Sequence, residues 1–193
     1  MACFWGCRLR FSSVKLAALA LLLGALSAVG ETLLTEQQAL KIVFPRSEKV
    51  TAETKVLAPQ QRDELQKRTG LRFPEPQYRF FVAQSKGQTV GYAVIMNEVG
   101  KHEFITFIVG VSPKGAVEDV AVMEYRESRG GEVREQRFLR QFHGKRQKDA
   151  IQVNNDIVNY TGATLSSQAI ARGVRKALVL VDAFYGASPA KQK

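Results

Sequence analysis

Cysteine is nearly absent from this chain. The two cysteines in 193 residues, Cys3 and Cys7, both fall within the first 30. A mature chain starting after them has no disulfide, no thiolate metal site and no c-type haem attachment. Histidine is equally scarce. His102 and His143 lie far apart in sequence and have no evident partner, so they read as ordinary surface histidines rather than as a metal pair. The longest apolar run, Leu16 to Val29, is 14 residues, short of the roughly 20 that a bilayer-spanning helix needs. There are no repeats, low-complexity tracts or internal linkers. No acid–base pair, nucleophilic triad or metal cluster is visible either, so a catalyst acting alone is not indicated.

What is present starts with an export-like leader. Arg8, Arg10 and Lys15 form a basic start, the apolar run follows, and Ala28-Val29-Gly30 resembles a small-x-small cleavage site ahead of Glu31. A cleaved signal peptide is expected, with an uncleaved N-terminal anchor as the alternative. Arg8-Leu9-Arg10 is not a twin-arginine pair, and neither cysteine follows the apolar run as a lipoprotein anchor would. Cleavage leaves 163 residues, one domain's length and enough for a real core. The full chain carries a net charge of +10, and 25 basic against 18 acidic residues keep the remainder at +7. The excess concentrates in Arg126, Arg129, Arg134, Arg137, Arg140, Lys145, Arg146 and Lys148. Such a patch suits anionic lipid, an acidic redox partner or a bound phosphate. No nucleic-acid motif accompanies it, so a nucleic-acid partner is not expected. The competing reading is a solvated basic loop.

The periodicity predicts an α+β domain: an antiparallel β-sheet with a long C-terminal-side helix packed on it, plus short N-terminal helices. Residues 35–44 and 59–69 read as the short helices, stopped by Pro45 and Gly70, with Pro74 and Pro76 marking an extended connection. Strands are expected at 79–83, 89–96, 103–111 and 116–125. Apolar residues on both faces of 103–111 make it the central one. Residues 97–101 and 112–115 read as hairpin connections. Phe138 to Phe142 reads as one or two helical turns. The long helix is expected over 166–184, with Ile170, Val174, Ala177, Leu178, Val181 and Phe184 on its core face. The expected organisation is a signal peptide at 1–30, an N-terminal helical segment of the same domain at 31–76, the main domain at 77–186 and a polar tail at 187–193.

The most informative stretch is Tyr160-Thr161-Gly162-Ala163-Thr164-Leu165-Ser166-Ser167, which runs into the long helix. It offers a hydroxyl in a turn of very small residues at a helix start. There, unpaired backbone N–H groups and the positive end of the peptide dipoles suit a phosphate. The plainer reading is that Thr161, Thr164 or Ser166 is only an N-cap.

The string Thr161 to Ser167 resembles the flavinylation motif of the FMN-binding domain family. Members of that family include the G subunit of the Rnf electron-transport complex and the C subunit of the sodium-translocating NADH:quinone reductase. Two further segments match in order. Glu127-Ser128-Arg129-Gly130-Gly131 is similar to the family's Glu-Thr-Pro-Gly-x-Gly loop near the flavin. Gln141-Phe142-His143-Gly144-Lys145 is similar to its Phe-x-Gly-Lys segment. The resemblance covers roughly 91–184. It departs in having Arg129 for the loop proline and Val158 where the family usually has an acidic residue, with Asp156 two residues earlier.

The resemblance implies FMN held through its phosphate by a phosphoester to Thr164. Thr161, Gly162, Ala163, Leu165, Ser166, Ser167, Glu127, Ser128, Gly130, Gly131, Gly144 and Lys145 are implied around the cofactor. It also implies a magnesium-dependent flavin transferase that installs FMN from FAD. The implied role is that of an electron carrier facing an unidentified redox partner, with a membrane-bound one among the candidates. Export places the protein in the periplasm or on the outer face of the cytoplasmic membrane. The local chemistry agrees. Gly162 and Ala163 leave the acceptor uncrowded, and Lys145 or an arginine of the patch offers a charge-assisted contact to the phosphate. A tether also keeps a cofactor from diluting away outside the cytoplasm.

Alternatives from other classes are a sensory or adaptor module holding FMN non-covalently or not at all, and a basic adaptor for anionic lipid. Tyr125, Tyr160 and Phe142 read as core or rim aromatics rather than flavin stackers. Asn159-Tyr160-Thr161 matches a glycosylation acceptor pattern by coincidence.

Overall fold

The computed structural model describes residues 31–186; the leader and the tail lie outside the described residues. The architecture is α+β. Ten elements follow in order: β1 (Glu31–Thr32), α1 (Glu36–Val43), β2 (Lys49–Val56), α2 (Pro59–Thr69), β3 (Gln77–Ser85), β4 (Gln88–Val99), β5 (Phe104–Val111), β6 (Val117–Tyr125), the single turn α3 (Gln136–Leu139) and α4 (Thr164–Tyr185). The strands form one antiparallel sheet in the order β1-β6-β5-β4-β3-β2. β1 contributes only two residues, so five strands carry the sheet.

Each face of the sheet has its own helix. β5 is central because its residues are apolar in both directions: Ile105, Phe107 and Val109 are buried on one side, Ile108 and Gly110 on the other. α4 covers the first face. Its Ile170, Val174, Ala177, Leu178 and Val181 share one cluster with Val94, Met96, Phe107 and Val109. Phe184 closes that face only partly, meeting Phe80 edge-on at 5.3 Å. α1 covers the second face, with Ala39 and Val43 against Phe81, Ala93, Ile108 and Ala121. α1 starts at a capping box: the Gln38 amide donates to Thr35 Oγ1 (3.3 Å), and the Thr35 amide donates to Gln38 Oε1 (2.9 Å).

Three expectations need correcting. Residues 31–76 are not wholly helical: Lys49–Val56 is an edge strand paired along its whole length with β3. Its side chains are exposed or half-buried without strict alternation, so the apolar alternation that marks a strand is missing. Asn97, Glu98 and Val99 belong to β4 rather than to the hairpin connection. Glu98 is buried and bound by Lys176 Nζ at 2.6 Å and Arg172 Nε at 2.7 Å, both from α4. A carboxylate there reads as a turn residue until its partners from α4 are known. Finally, the long helix starts two residues before Ser166, at Thr164.

Candidate functional site

The carboxyl ends of β4 and β6, the start of β5 and the start of α4 meet at one end of the sheet. Gly162 there has φ +86°, a left-handed backbone that favours glycine. It lets the chain turn into α4, with the Ala163 amide donating to Tyr160 O at 3.0 Å. The N-cap is Ala163, and no side chain caps the helix. The plain capping role for Thr161, Thr164 or Ser166 is therefore not what the structure shows. The first intrahelical bond is that of the Ser167 amide to Ala163 O, 2.8 Å. The amides of Thr164, Leu165 and Ser166 precede it and have no partner within the helix.

Thr164 is half-buried, and its Oγ1 accepts a hydrogen bond from Asn159 Nδ2 at 2.8 Å. Thr161 and Gly162 are exposed and Ala163 is buried. Leu165 is 47% exposed, a large apolar side chain standing free beside the hydroxyl. Ser167 Oγ and Asn159 Oδ1 are buried without a hydrogen-bond partner.

The loop after β6 closes on this turn. The Tyr125 hydroxyl donates to Arg129 O at 2.6 Å and lies 3.0 Å from Ser166 Oγ. Gly130 has φ +81°. A Cβ there would sit 3.0 Å from the Tyr125 hydroxyl and 3.2 Å from both Ala163 Cα and Ser166 Oγ, so only glycine fits. Burial pushes the Tyr125 hydroxyl up, the Ser166 bond opposes it, and the net is upward. Ser128 is exposed, and Gly131 opens a short 3-10 turn to Arg134.

Glu127 is spent on the backbone of the β4–β5 hairpin. Its Oε1 accepts from the amides of Lys101, His102 (2.6 Å) and Glu103 (3.0 Å), pinning the β4–β5 hairpin to the loop. Burial raises the carboxyl, but the amides of Glu103, His102 and Lys101 outweigh it and hold it below the usual range.

The Gly144-Lys145 segment lies along β6: the Gly144 amide donates to Val117 O and the Val117 amide to Lys145 O, each at 2.8 Å. Lys145 Nζ pairs with Asp156 Oδ2 at 2.7 Å, and Asp156 also takes the amides of Ile151 (3.1 Å) and Gln152 (2.8 Å). Burial raises Asp156, while Lys145 and these amides lower it further, so it stays below its ordinary value. Lys145 and Asp156 thus form a latch under the 151–157 loop. Gln141 holds the backbone of Val158, accepting its amide at 2.7 Å and donating to its carbonyl at 3.3 Å. The Val158 side chain itself is 69% exposed. Tyr160 packs edge-on against Phe138 at 5.8 Å, with the Arg137 guanidinium 4.7 Å over its ring. Tyr125 and Phe142 are core residues and Tyr160 a rim aromatic, as expected.

The basic cluster is partly self-neutralised. Arg126 pairs with Glu124, Arg137 with Glu135 (2.7 Å) and Lys145 with Asp156. Arg129 and Arg140 are exposed.

The structure joins the Glu127–Gly131 loop to the Thr161–Ser167 turn by direct contact. The Gln141–Lys145 segment reaches that turn indirectly, through Val158 and Asp156. Asn159 and Gln141 are the contacts that sequence reasoning missed as partners. Asn159 carried only a glycosylation-like signal, and its reach to Thr164 depends on the turn at Gly162. Among the described residues no group of His, Cys, Asp and Glu could hold a metal ion, and no helix is long and apolar enough to cross a membrane.

The uncapped start of the long helix, with a hydroxyl on its first residue, is a setting that suits an anion. Residues 100–179 match the family model of the FMN-binding domain, and the cofactor such a domain takes is FMN. Among curated proteins, it is 31% identical over 115 residues to the G subunit of the proton-translocating ferredoxin:NAD(+) oxidoreductase complex of Clostridium ljungdahlii, covering 55% of this chain and 62% of that protein. It is 26% identical over 119 residues to the G subunit of the Na(+)-translocating ferredoxin:NAD(+) oxidoreductase complex of Acetobacterium woodii, covering 56% and 58%. The chain thus spans about three-fifths of each relative's length. Among solved structures, NqrC of Shewanella oneidensis shares the fold, with a TM-score of 0.53, 16% identity, and coverage of 76% of this chain and 86% of that one.

Proposed function

We propose that this protein is an exported electron carrier holding FMN by a phosphoester to Thr164 Oγ1. The observation that carries the reading is the uncapped start of α4. There the Thr164 hydroxyl sits on a first turn whose amides of Thr164 to Ser166 have no partner within the helix, and the Gly130 loop packs beside Ala163 and Ser166. The residues present suit FMN. The first-turn amides and the helix dipole stabilise the single negative charge that a phosphodiester keeps. The orphaned Ser167 Oγ and Asn159 Oδ1 are polar atoms of the kind that a bound polar group or water satisfies.

When bound, FMN supplies the redox chemistry. The chain's own residues bind and orient it. Glu127 and Tyr125 fix the loop and hairpin around the turn, and exposed Leu165 offers apolar contact beside the tether. Lys145 is spent on Asp156, so a charge-assisted contact to the phosphate falls to an arginine of the patch. Both G-subunit relatives are parts of ferredoxin:NAD(+) oxidoreductase complexes, which supports a partner that is a membrane redox assembly. The leader-like residues 1–30 support an exported, periplasmic location.

The test is co-expression with a flavin transferase: Thr164→Ala is expected to fold and carry no FMN. A second reading, FMN held without a covalent bond, is favoured by exposed Val158 at the position where the family usually has an acid. It predicts that all flavin leaves on denaturation.

A further inference from the structure

We infer that Asn159 is the positioning residue for the Thr164 hydroxyl. The inference rests on the reading of Thr164 as the FMN acceptor and concerns how that hydroxyl is presented.

Asn159 Nδ2 is the side-chain group that meets Thr164 Oγ1, at 2.8 Å. The two acidic candidates are elsewhere. Asp156 is consumed by Lys145 and by the amides of Ile151 and Gln152. Glu127 is consumed by the β4–β5 hairpin. Position 158 has a valine whose side chain is 69% exposed. Asn159 is itself held from both sides. Gln141 fixes the backbone of Val158, and Tyr160 is wedged between Phe138 and Arg137.

A threonine in a helix divides its hydroxyl between two rotamers. At the first residue of α4 the preceding turn is not yet complete, so the backbone restrains the hydroxyl less. The Asn159 bond selects one orientation. Because the amide donates, Oγ1 accepts, and its own proton is turned away from Asn159. One lone pair remains for attack, and no anion stands beside the incoming pyrophosphate. In the transfer, Thr164 Oγ1 forms a bond to the FMN phosphorus of FAD. The phosphorus–oxygen bond to the adenylate breaks, AMP leaves, and the threonine proton is taken up by the transferase or solvent. Asn159 exchanges no proton in this step. Its Oδ1, buried and unpartnered, belongs to the same planar amide and is fixed with it.

The test measures the rate of FMN attachment by intact mass, with flavin transferase, FAD and magnesium, on the wild type, Asn159→Ala and Asn159→Asp. Asn159→Ala is expected to be about fivefold slower, the loss of roughly one neutral hydrogen bond. Its melting temperature should hold, since the substitution also removes an unsatisfied acceptor. Asn159→Asp is the arm that a merely structural role would not move. Protonated, its carboxyl donates to Oγ1 as the amide does; ionised, it cannot. Its rate relative to wild type should therefore change with pH across the carboxyl range, where the hydrogen bond to Thr164 reverses. Wild-type rates in Asn159→Ala, or a pH-independent ratio for Asn159→Asp, overturn the inference while leaving Thr164 as acceptor. A wild type that takes up no FMN overturns the acceptor reading itself.

Discussion

The Tyr125 hydroxyl lies 3.0 Å from Ser166 Oγ, joining the last residue of β6 to the first turn of α4. The same hydroxyl donates to Arg129 O, so one phenol ties together the sheet, the Gly130 loop and the helix start. Tyr125→Phe leaves the Arg129 carbonyl and Ser166 Oγ short of a partner, at a cost of about 1 to 3 kcal/mol. Urea unfolding checks this. FMN attachment should slow as well, because the loop is no longer anchored beside Thr164. A substitution that costs less than a few tenths of a kcal/mol would mean the contact is incidental.

The buried charges between β4 and α4 make a separate prediction. Glu98 takes Lys176 on one oxygen and Arg172 on the other, and the Glu98 and Lys176 side chains are only 4% and 6% exposed. Glu98→Ala strands the Lys176 ammonium in the core and should cost about 3 to 5 kcal/mol, whereas replacing both partners by well-packed apolar residues should recover most of it. Arg172 is 42% exposed and adds little. Denaturant midpoints of the single and double variants decide the matter.

Acid should destabilise the fold through two carboxylates at the site. Glu127 and Asp156 are both held below their ordinary values in the folded protein. The unfolded chain therefore binds protons at a higher pH than the folded one. The stability these groups contribute is fully present above the unfolded carboxyl value of about 4 and is lost as pH falls through the folded one. Thermal midpoints measured from neutral pH downward should fall below about pH 4.5. Glu127→Gln should be less stable at neutral pH and show a flatter decline. A wild-type profile that the substitution leaves unchanged would show that the hairpin amides do not hold that carboxylate.

Much of this was legible in the sequence because period and punctuation agreed. Pro45 and Gly70 stop α1 and α2, and apolar residues on both faces of β5 mark it as central. β2 was not legible, since Lys49–Val56 is a polar edge strand whose only signal is its partner. Glu98 was misread because its counter-ions come from α4, far along the chain. At the site, the order of the three segments was visible, and two of them do touch. The invisible parts were contacts made across turns: Asn159 to Thr164, Gln141 to Val158, and the three hairpin amides on Glu127. Lys145 looked like a phosphate ligand because its partner, Asp156, becomes a neighbour only once the 146–155 loop has folded back.

The central claim concerns one oxygen atom, and one measurement reaches it most directly. Protein produced with a flavin transferase is denatured, digested with trypsin and fragmented in the mass spectrometer. The peptide from Asp149 to Arg172 contains Thr161, Thr164, Ser166 and Ser167, so the fragments distinguish every hydroxyl in the turn. The account predicts that this peptide carries FMN less one water, located on Thr164 and absent in Thr164→Ala. A peptide with no added mass, or with FMN on Thr161 or Ser166, would contradict it.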